Sequence, residues 1–281
     1  MTDKFDITIL GCGSSGGVPR LGGADGSGHW GVCDPANPKN RRSRCSILVR
    51  RTSDEGVTRV LVDTSPDMRE QLLRARASEL DGVLITHDHA DQLHGIDDLR
   101  QVALHQRRRV DVYTDAETAE TVLSRFSYCF VQAEGIDYPP VAKMHAVDEP
   151  FAPFAIRGAG GAVPVLAFGQ RHGKMNSLGL RFGTVAYSAD VNALNEAAFA
   201  ALAGVECWIV DALRTAPHPS HSHVAQTLEW IARVKPKRAI LTNLHVDLDY
   251  EMLRRELPPN VEPAYDGMIV AAGLPSTNAV I

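Results

Sequence analysis

The run Thr86-His87-Asp88-His89-Ala90-Asp91-Gln92-Leu93-His94-Gly95 crowds imidazoles and carboxylates into one short stretch. It follows Asp81-Gly82-Val83-Leu84-Ile85, an apolar segment that reads as a short buried strand. Two imidazoles and a carboxylate at alternate positions, on a loop leaving a strand, can converge on a cation. His87 and His89 suit zinc, manganese or iron, and Asp91 can reach a second ion beside the first. A histidine alone there would read as a surface or core residue. Three adjacent ligand types at the end of an element predict a metal site instead.

Two later segments add to this set. His172 in Phe168-Gly169-Gln170-Arg171-His172-Gly173 and Asp190 in Val185-Ala186-Tyr187-Ser188-Ala189-Asp190 each read as lying just past an apolar strand. Singly, either is a turn residue or a solvated loop group. With the first run they supply a third imidazole and a carboxylate able to bridge two ions, a three-His, one-Asp set. The cluster His218-Pro219-Ser220-His221-Ser222-His223 precedes a helix candidate and offers His221 and His223 as proton donors or phosphate ligands. The plainer reading makes both histidines loop residues and Ser222 the helix cap.

The elements that must position these groups can be read from periodicity and punctuation. Phe5–Leu10 alternates like a strand and runs into Gly11-Cys12-Gly13-Ser14-Ser15-Gly16-Gly17. No amphipathic helix follows those glycines, so a dinucleotide-binding reading fails its context. Gly11 to Arg44 reads as a long polar insertion, and a loop of that length in a compact protein has a functional task or is disordered. Cys45–Arg51 and Arg59–Asp63 form a hairpin turning at Ser53-Asp54-Glu55-Gly56. Helices are expected over Pro66–Arg76, Ile96–Gln106, Ala116–Ser127, Ala193–Ala203 and Val224–Val234. Strands are expected at Val110–Tyr113, Val165–Phe168, Leu178–Phe182, Thr184–Ser188, Glu206–Val210, Arg238–Thr242 and Met268–Ala272. Glu134 to Val165 reads as loops and short edge strands. Strand-rich halves finished by helices imply two facing sheets with helices outside, as a single domain over residues 1–281.

Composition narrows the class. The chain has 281 residues, 44% of them hydrophobic, enough for a sizeable core. A formal charge of −5 argues against a nucleic-acid binder relying on bulk charge. The five cysteines are scattered and show no CxxC spacing. No signal peptide and no apolar span near 20 residues stand out, so a reduced cytoplasmic setting without membrane contact is expected.

These residues carry a resemblance. Gly11-Cys12-Gly13-Ser14, Asp63-Thr64-Ser65-Pro66, Gly95-Ile96-Asp97-Asp98-Leu99-Arg100, Tyr187-Ser188-Ala189-Asp190, His218-Pro219-Ser220-His221 and Asp266-Gly267-Met268 together resemble the metallo-β-lactamase superfamily of hydrolases. Within that superfamily the chain is similar to the phosphoribosyl cyclic phosphodiesterases. The resemblance spans nearly the whole chain. It implies an α/β layered αββα sandwich, a metal centre at the sheet edges, hydrolysis and a homodimer. On it, His87, His89, His172 and bridging Asp190 would hold the first ion, and Asp91 with Asp190 would serve a second. His221 matches the last histidine of the related enzymes' His-Pro-Thr-His pattern. With Asp91 it would be catalytic, as general acid or phosphate ligand.

The chain also departs from that pattern. Related enzymes continue Asp-His where this one has Asp91-Gln92, and end a late strand Leu-Thr-His where this one has Leu241-Thr242-Asn243. A side-chain amide offers only a neutral oxygen, so the second site should be weakened and manganese should gain ground on zinc. His94 and His245 each lie two residues past a lost ligand and are candidates to compensate, or in the case of His94 to orient Asp91. Related enzymes carry a cysteine-bound structural zinc in the early insertion. Only Cys33 is available here, so none is expected.

Phosphate recognition is assigned to the basic run Lys39-Asn40-Arg41-Arg42-Ser43-Arg44, chiefly Arg41 and Arg44. Arg107-Arg108-Arg109 closes a helix and reads as dipole complementation. The expected activity is a phosphodiesterase that opens a small cyclic phosphate ester of a ribose or nucleotide, using one or two divalent ions. The alternatives are tRNA 3′-end endonuclease activity and a non-catalytic nucleotide-binding protein with a degraded second site.

Overall fold

Strand β1 (Lys4–Gly11) buries every residue after its first, because an inner strand between two packed layers has no solvent face. The remaining elements, in chain order, begin with β2 (Ser46–Ser53), β3 (Gly56–Val62), α1 (Met68–Arg74), β4 (Gly82–Leu84) and α2 (Ala90–Leu93). Next come α3 (Leu99–Gln106), β5 (Val110–Thr114), α4 (Ala116–Arg125), α5 (Ser127–Phe130), β6 (Ala142–Ala146) and β7 (Phe154–Gly158). The second half holds β8 (Gly161–His172), β9 (Met175–Phe182), β10 (Val185–Ser188), α6 (Glu196–Leu202) and β11 (Cys207–Asp211). It ends with α7 (Val224–Val234), β12 (Arg238–Thr242), α8 (Tyr250–Glu256), β13 (Val261–Pro263) and β14 (Ile269–Ala271). This computed structural model describes residues 4–132, 134–135, 137–147 and 151–273.

One sheet has the order β14-β1-β2-β3-β4-β5-β6, the other β13-β12-β11-β10-β9-β8-β7. Each mixes antiparallel hairpins with a parallel half: β3 to β6 in the first sheet, β10 to β13 in the second. Inward residues of both sheets share one core, with Ile7, Ile47 and Val60 facing Leu180, Tyr187 and Ile209. The outer face of the first sheet buries Leu48 and Leu61 against Leu72 and Leu99 from the helices. The outer face of the second sheet buries Trp208 and Leu241 against Leu202 and Ile231. The four layers are those of an αββα sandwich.

Chemistry in open α/β sheets collects at the carboxyl ends of parallel strands, where side chains are presented without a following ladder. Asp63 follows β3, His87 follows β4, Asp190 follows β10, Asp211 ends β11 and Asn243 follows β12. Gly95 fixes the loop that carries the first histidines. Its amide donates to Thr64 O, and a Cβ there would lie 2.0 Å from Ser65 O.

Several boundaries differ from the sequence expectation. The hairpin strands extend to Ser53 and restart at Gly56, so only Asp54 and Glu55 turn. Pro66 lies outside α1, whose N-cap is Asp67. The expected helix over Ile96–Gln106 splits into a 3-10 turn at Ile96–Asp98 and α3. The expected helix over Ala193–Ala203 starts only at Glu196, capped by the Asn195 side chain. The largest difference is β8, which runs from Gly161 rather than Val165 and carries His172 as its last residue. Its first half pairs with β7 and its second with β9, so no single alternation describes it. The helical turn α2, helix α8 and strand β13 were not among the expected elements. The insertion from Gly11 to Arg44 is ordered by bridges from Val18 to Arg42 and from Arg20 to His29.

Candidate active site

His87, His89 and His172 meet where the two sheets face each other, with ring centroids 4.7 to 5.0 Å apart. His172 Nδ1 lies 2.6 Å from Ser220 O, a carbonyl that only accepts, so the ring proton sits on Nδ1 and the Nε2 lone pair faces the cluster. That Nε2 is 3.1 Å from His89 Nδ1. Two ligands on a tetrahedral zinc, with Zn–N of about 2.0–2.1 Å, stand roughly 3.3 Å apart, so the spacing suits a shared ion. His87 Nε2 is buried without any partner. An orphaned lone pair of this kind is costly unless a ligand completes it. The three histidines and the group His172, Asp190 and His221 are the two sets of ligand atoms that converge among the described residues.

Electrostatics favour a cation. Burial pushes His87 well below its ordinary range, helped by the neighbouring imidazoles. Burial likewise takes His172 down to about 3. Neutral imidazoles are metal ligands. The Asp190 carboxyl is raised by burial and lies 3.9 Å from His172 Nε2 and 3.6 Å from His221 Nδ1. These residues therefore fit a divalent ion, with three nitrogen donors and one carboxylate.

At the second position two side-chain amides border Asp190. Gln92 turns its amide nitrogen, not its oxygen, toward Asp190 Oδ2 at 3.0 Å, and Gln92 Oε1 is buried without a partner. Asn243 Nδ2 donates to Ala189 O at 3.0 Å and lies 3.4 Å from Asp190 Oδ1. Both amides thus stand as hydrogen-bond donors around Asp190. Asp91 is half-buried, 3.4 Å from the Gln92 amide, and belongs to neither convergent group. His94 is exposed and packs edge-on to Phe126. His245 Nδ1 pairs with Asp247 at 2.9 Å. Neither ring joins the cluster, so the structure does not bring them in as replacement ligands.

His221 sits at the edge of the cluster, held by a residue that sequence reasoning missed. Its Nδ1 is 2.9 Å from Asp211 Oδ2, and Asp211 is fully buried with Oδ1 unpartnered. Burial opposes charge on His221, but Asp211, then Asp190 and Asp91, outweigh it and lift the imidazole to about 9. Burial raises Asp211 itself to about 6. The signal for Asp211 was a carboxylate closing an apolar strand, the same feature that singled out Asp190. Ser222 is not the helix cap: its hydroxyl donates to Asp211 O at 2.6 Å, and His223 holds the cap position without a side-chain bond.

Beyond His221 opens a cleft of about 230 Å³ lined by Ser14, Arg20, Arg214, His218 and His245. Arg20 Nε and Ser14 Oγ are buried there without partners. The arginines chosen from sequence lie elsewhere. Arg41 stacks on Trp30 at 5.0 Å, and Arg44 is paired with Asp67 at 2.9 Å. Between them, Arg42 is buried and donates to Leu248 O and His245 O. The long-range partners of these arginines leave no trace in local sequence.

The family model of the β-lactamase superfamily domain matches residues 58–243. An octanoyltransferase of Porphyromonas gingivalis is 32% identical over 265 residues, which is 92% of this chain and 50% of that protein. The chain thus spans about half the length of that relative. Coenzyme PQQ synthesis protein B of Pseudomonas putida is 26% identical over 94% of this chain and 99% of that protein. Among solved structures, a diphosphatase from the PhnP family superposes with a TM-score of 0.83 at 31% identity, covering 97% of this chain and 99% of that one. The short form of human tRNase Z shares the fold at 15% identity and a TM-score of 0.61, over 96% of this chain and all of that one. Such a fold implies divalent-metal binding, and no helix of the described residues is long and apolar enough to cross a membrane. With an αββα sandwich, a convergent three-histidine cluster and these relatives, the chain belongs to the metallo-β-lactamase superfamily of hydrolases, in company with the PhnP-family diphosphatase.

Proposed function

We propose that the chain is a metal-dependent phosphodiesterase that opens a small cyclic phosphate ester of a ribose or nucleotide. The observation that carries this reading is the shared wall formed by His221. On one side it faces a cluster fit for a divalent ion, and on the other a small cleft lined by arginine and histidine. His87, His89, His172 and Asp190 would hold the first ion. Asp91 and Asp190 would serve a second, weakened because Gln92 and Asn243 offer no imidazole. When bound, a divalent ion of manganese or zinc type supplies an activated water and withdraws charge from phosphorus.

The chain's own groups do the rest. Arg20, whose Nε is buried without a partner, offers a donor for the non-bridging oxygens, a role first assigned to Arg41 and Arg44, while Arg214 adds positive charge with Nε and Nη2 held by Ala216 O and Pro217 O. As the water oxygen bonds to phosphorus, its proton would pass to the Asp91 carboxylate, the ring P–O bond breaks, and the departing alkoxide needs a proton. With Nδ1 committed to Asp211, His221 has Nε2 free to donate that proton. A cleft near 230 Å³ suits a small ester rather than a folded RNA.

Phosphorus NMR of the purified chain with a ribose 1,2-cyclic phosphate and a 2′,3′-cyclic nucleotide, with added manganese or zinc, tests the reading. Ring opening by the wild type, absent in His87→Ala, is expected. Silence with every metal in a folded, metal-loaded chain would overturn it. The 31% identity to a diphosphatase favours one second reading, cleavage of a diphosphate ester. A nucleoside diphosphate sugar in the same experiment distinguishes the two by which phosphorus resonance is consumed.

A further inference from the structure

Strand β3 ends at Val62, and Asp63 follows it with φ of 63°, a left-handed conformation that costs a non-glycine residue about 1–2 kcal/mol. The turn carries its carboxyl across to the end of β4. There the Thr86 amide donates to Asp63 Oδ1 at 2.8 Å, and the Thr86 hydroxyl lies 3.0 Å from each carboxyl oxygen. The same hydroxyl is 3.1 Å from His87 Nδ1. Asp63, Thr86 and His87 are all buried. The other nitrogen of the ring, His87 Nε2, is the orphan that faces His89 and His172.

We infer that Asp63 and Thr86 are positioning residues for the metal centre, fixing His87 as the Nδ1–H tautomer with its Nε2 lone pair aimed at the ion. The inference rests on His87 being a metal ligand. Coordination through Nε2 requires the ring proton on Nδ1, which then points at Thr86 Oγ1. Having accepted that bond, the hydroxyl has only its own proton to give, and Asp63 is the acceptor within reach. The reverse order, with Thr86 donating to Nδ1, puts the ring proton on Nε2 and closes the site. The Asp63 carboxyl, acting through a hydroxyl, thereby does for His87 what the Ser220 carbonyl does for His172. The left-handed backbone at Asp63 is what brings the carboxylate to Thr86.

Thr86→Val keeps the shape of the side chain and removes the hydroxyl, whereas Thr86→Ser keeps the hydroxyl. Zinc and manganese affinity of the full chain, measured by competition with a chelator, should weaken roughly 10–100-fold in Thr86→Val and return close to wild type in Thr86→Ser. Nitrogen-15 NMR of the zinc-loaded wild type should show His87 protonated at Nδ1 and coordinated through Nε2. A folded Thr86→Val chain that binds metal as tightly as wild type overturns the inference, as does coordination of His87 through Nδ1. The NMR arm uses the wild type and stays decisive even if Thr86→Val does not fold. Zinc that stays bound in His87→Ala would instead remove the ligand reading on which the inference rests, so the two failures are distinguishable.

Discussion

Asp211 reaches His221 through one carboxylate oxygen while its other oxygen is buried with no partner. The bonded oxygen also accepts from the Val191 amide at 3.2 Å, so the His221 imidazole is its side-chain partner. Asp211→Asn preserves an acceptor for His221 Nδ1 and removes the charge behind it. We expect kcat on a cyclic phosphate to fall about 100-fold with metal content unchanged, because proton donation and not ion binding is affected. Equal kcat in the variant would show that His221 does not serve as the acid. Gln92 poses the complementary question. Its amide nitrogen, 3.0 Å from Asp190 Oδ2, stands where an imidazole would bring a lone pair. Gln92→His should raise zinc from about one ion per chain toward two, read by elemental analysis. Unchanged stoichiometry would mean that residue 92 does not border the second position.

At the scale of elements, the cap of α8 is one of the points that tie the insertion from Gly11 to Arg44 to the second sheet's helices. Asp249 precedes α8 and accepts from the Glu251 and Met252 amides, each at 3.0 Å, through Oδ1. Its Oδ2 accepts from the Asp34 amide at 3.1 Å and from Asn40 Nδ2 at 2.6 Å. Asn40 returns an acceptor to the Tyr250 amide at 2.8 Å. Burial pushes the Asp249 carboxyl up, but these donors outweigh it and hold it below the usual carboxylate range. A depressed carboxyl stabilises the fold above its unfolded pKa, and that stability is lost as pH falls through the folded value. Asp249→Ala should cost about 2 kcal/mol at pH 7 in urea unfolding, and the gap to wild type should narrow below about pH 4. A gap independent of pH would show that packing, not the charged cap, is what the carboxylate provides. The tie from this cap to Asp34 and Asn40 was not legible in sequence, because those partners lie more than 200 residues away. The strands that precede His87 and Asp190 were legible, since apolar runs stop just before a ligand-type residue. His172 was found but placed past its strand, because Pro164 and the glycines before it hid the start of β8. Arg20 was passed over because it lies in the glycine-rich insertion, and only folding brings it to His221.

The whole molecule rests on two sheets whose inner faces share one core, and the histidine cluster lies at the rim of that core. Tyr187 marks the point where the two demands meet. It is fully buried on β10 among aliphatic residues of both sheets, and its Oη has no hydrogen-bond partner. Burial raises its pKa well above the ordinary value, with Cys45, Asp63 and Asp190 adding to the effect, so the hydroxyl stays neutral beneath the site. A buried hydroxyl left unbonded costs about 1–3 kcal/mol relative to an apolar group of the same shape. Tyr187→Phe removes that atom without opening a cavity a methyl group could enter. We therefore expect the metal-free chain to gain about 1 kcal/mol, seen as a rise of about 2 °C in Tm. A fall in Tm would mean that the hydroxyl is bonded, with a buried water the natural partner. In that case the floor of the site is a polar network joining the sheets, and the same substitution should also loosen metal binding above it.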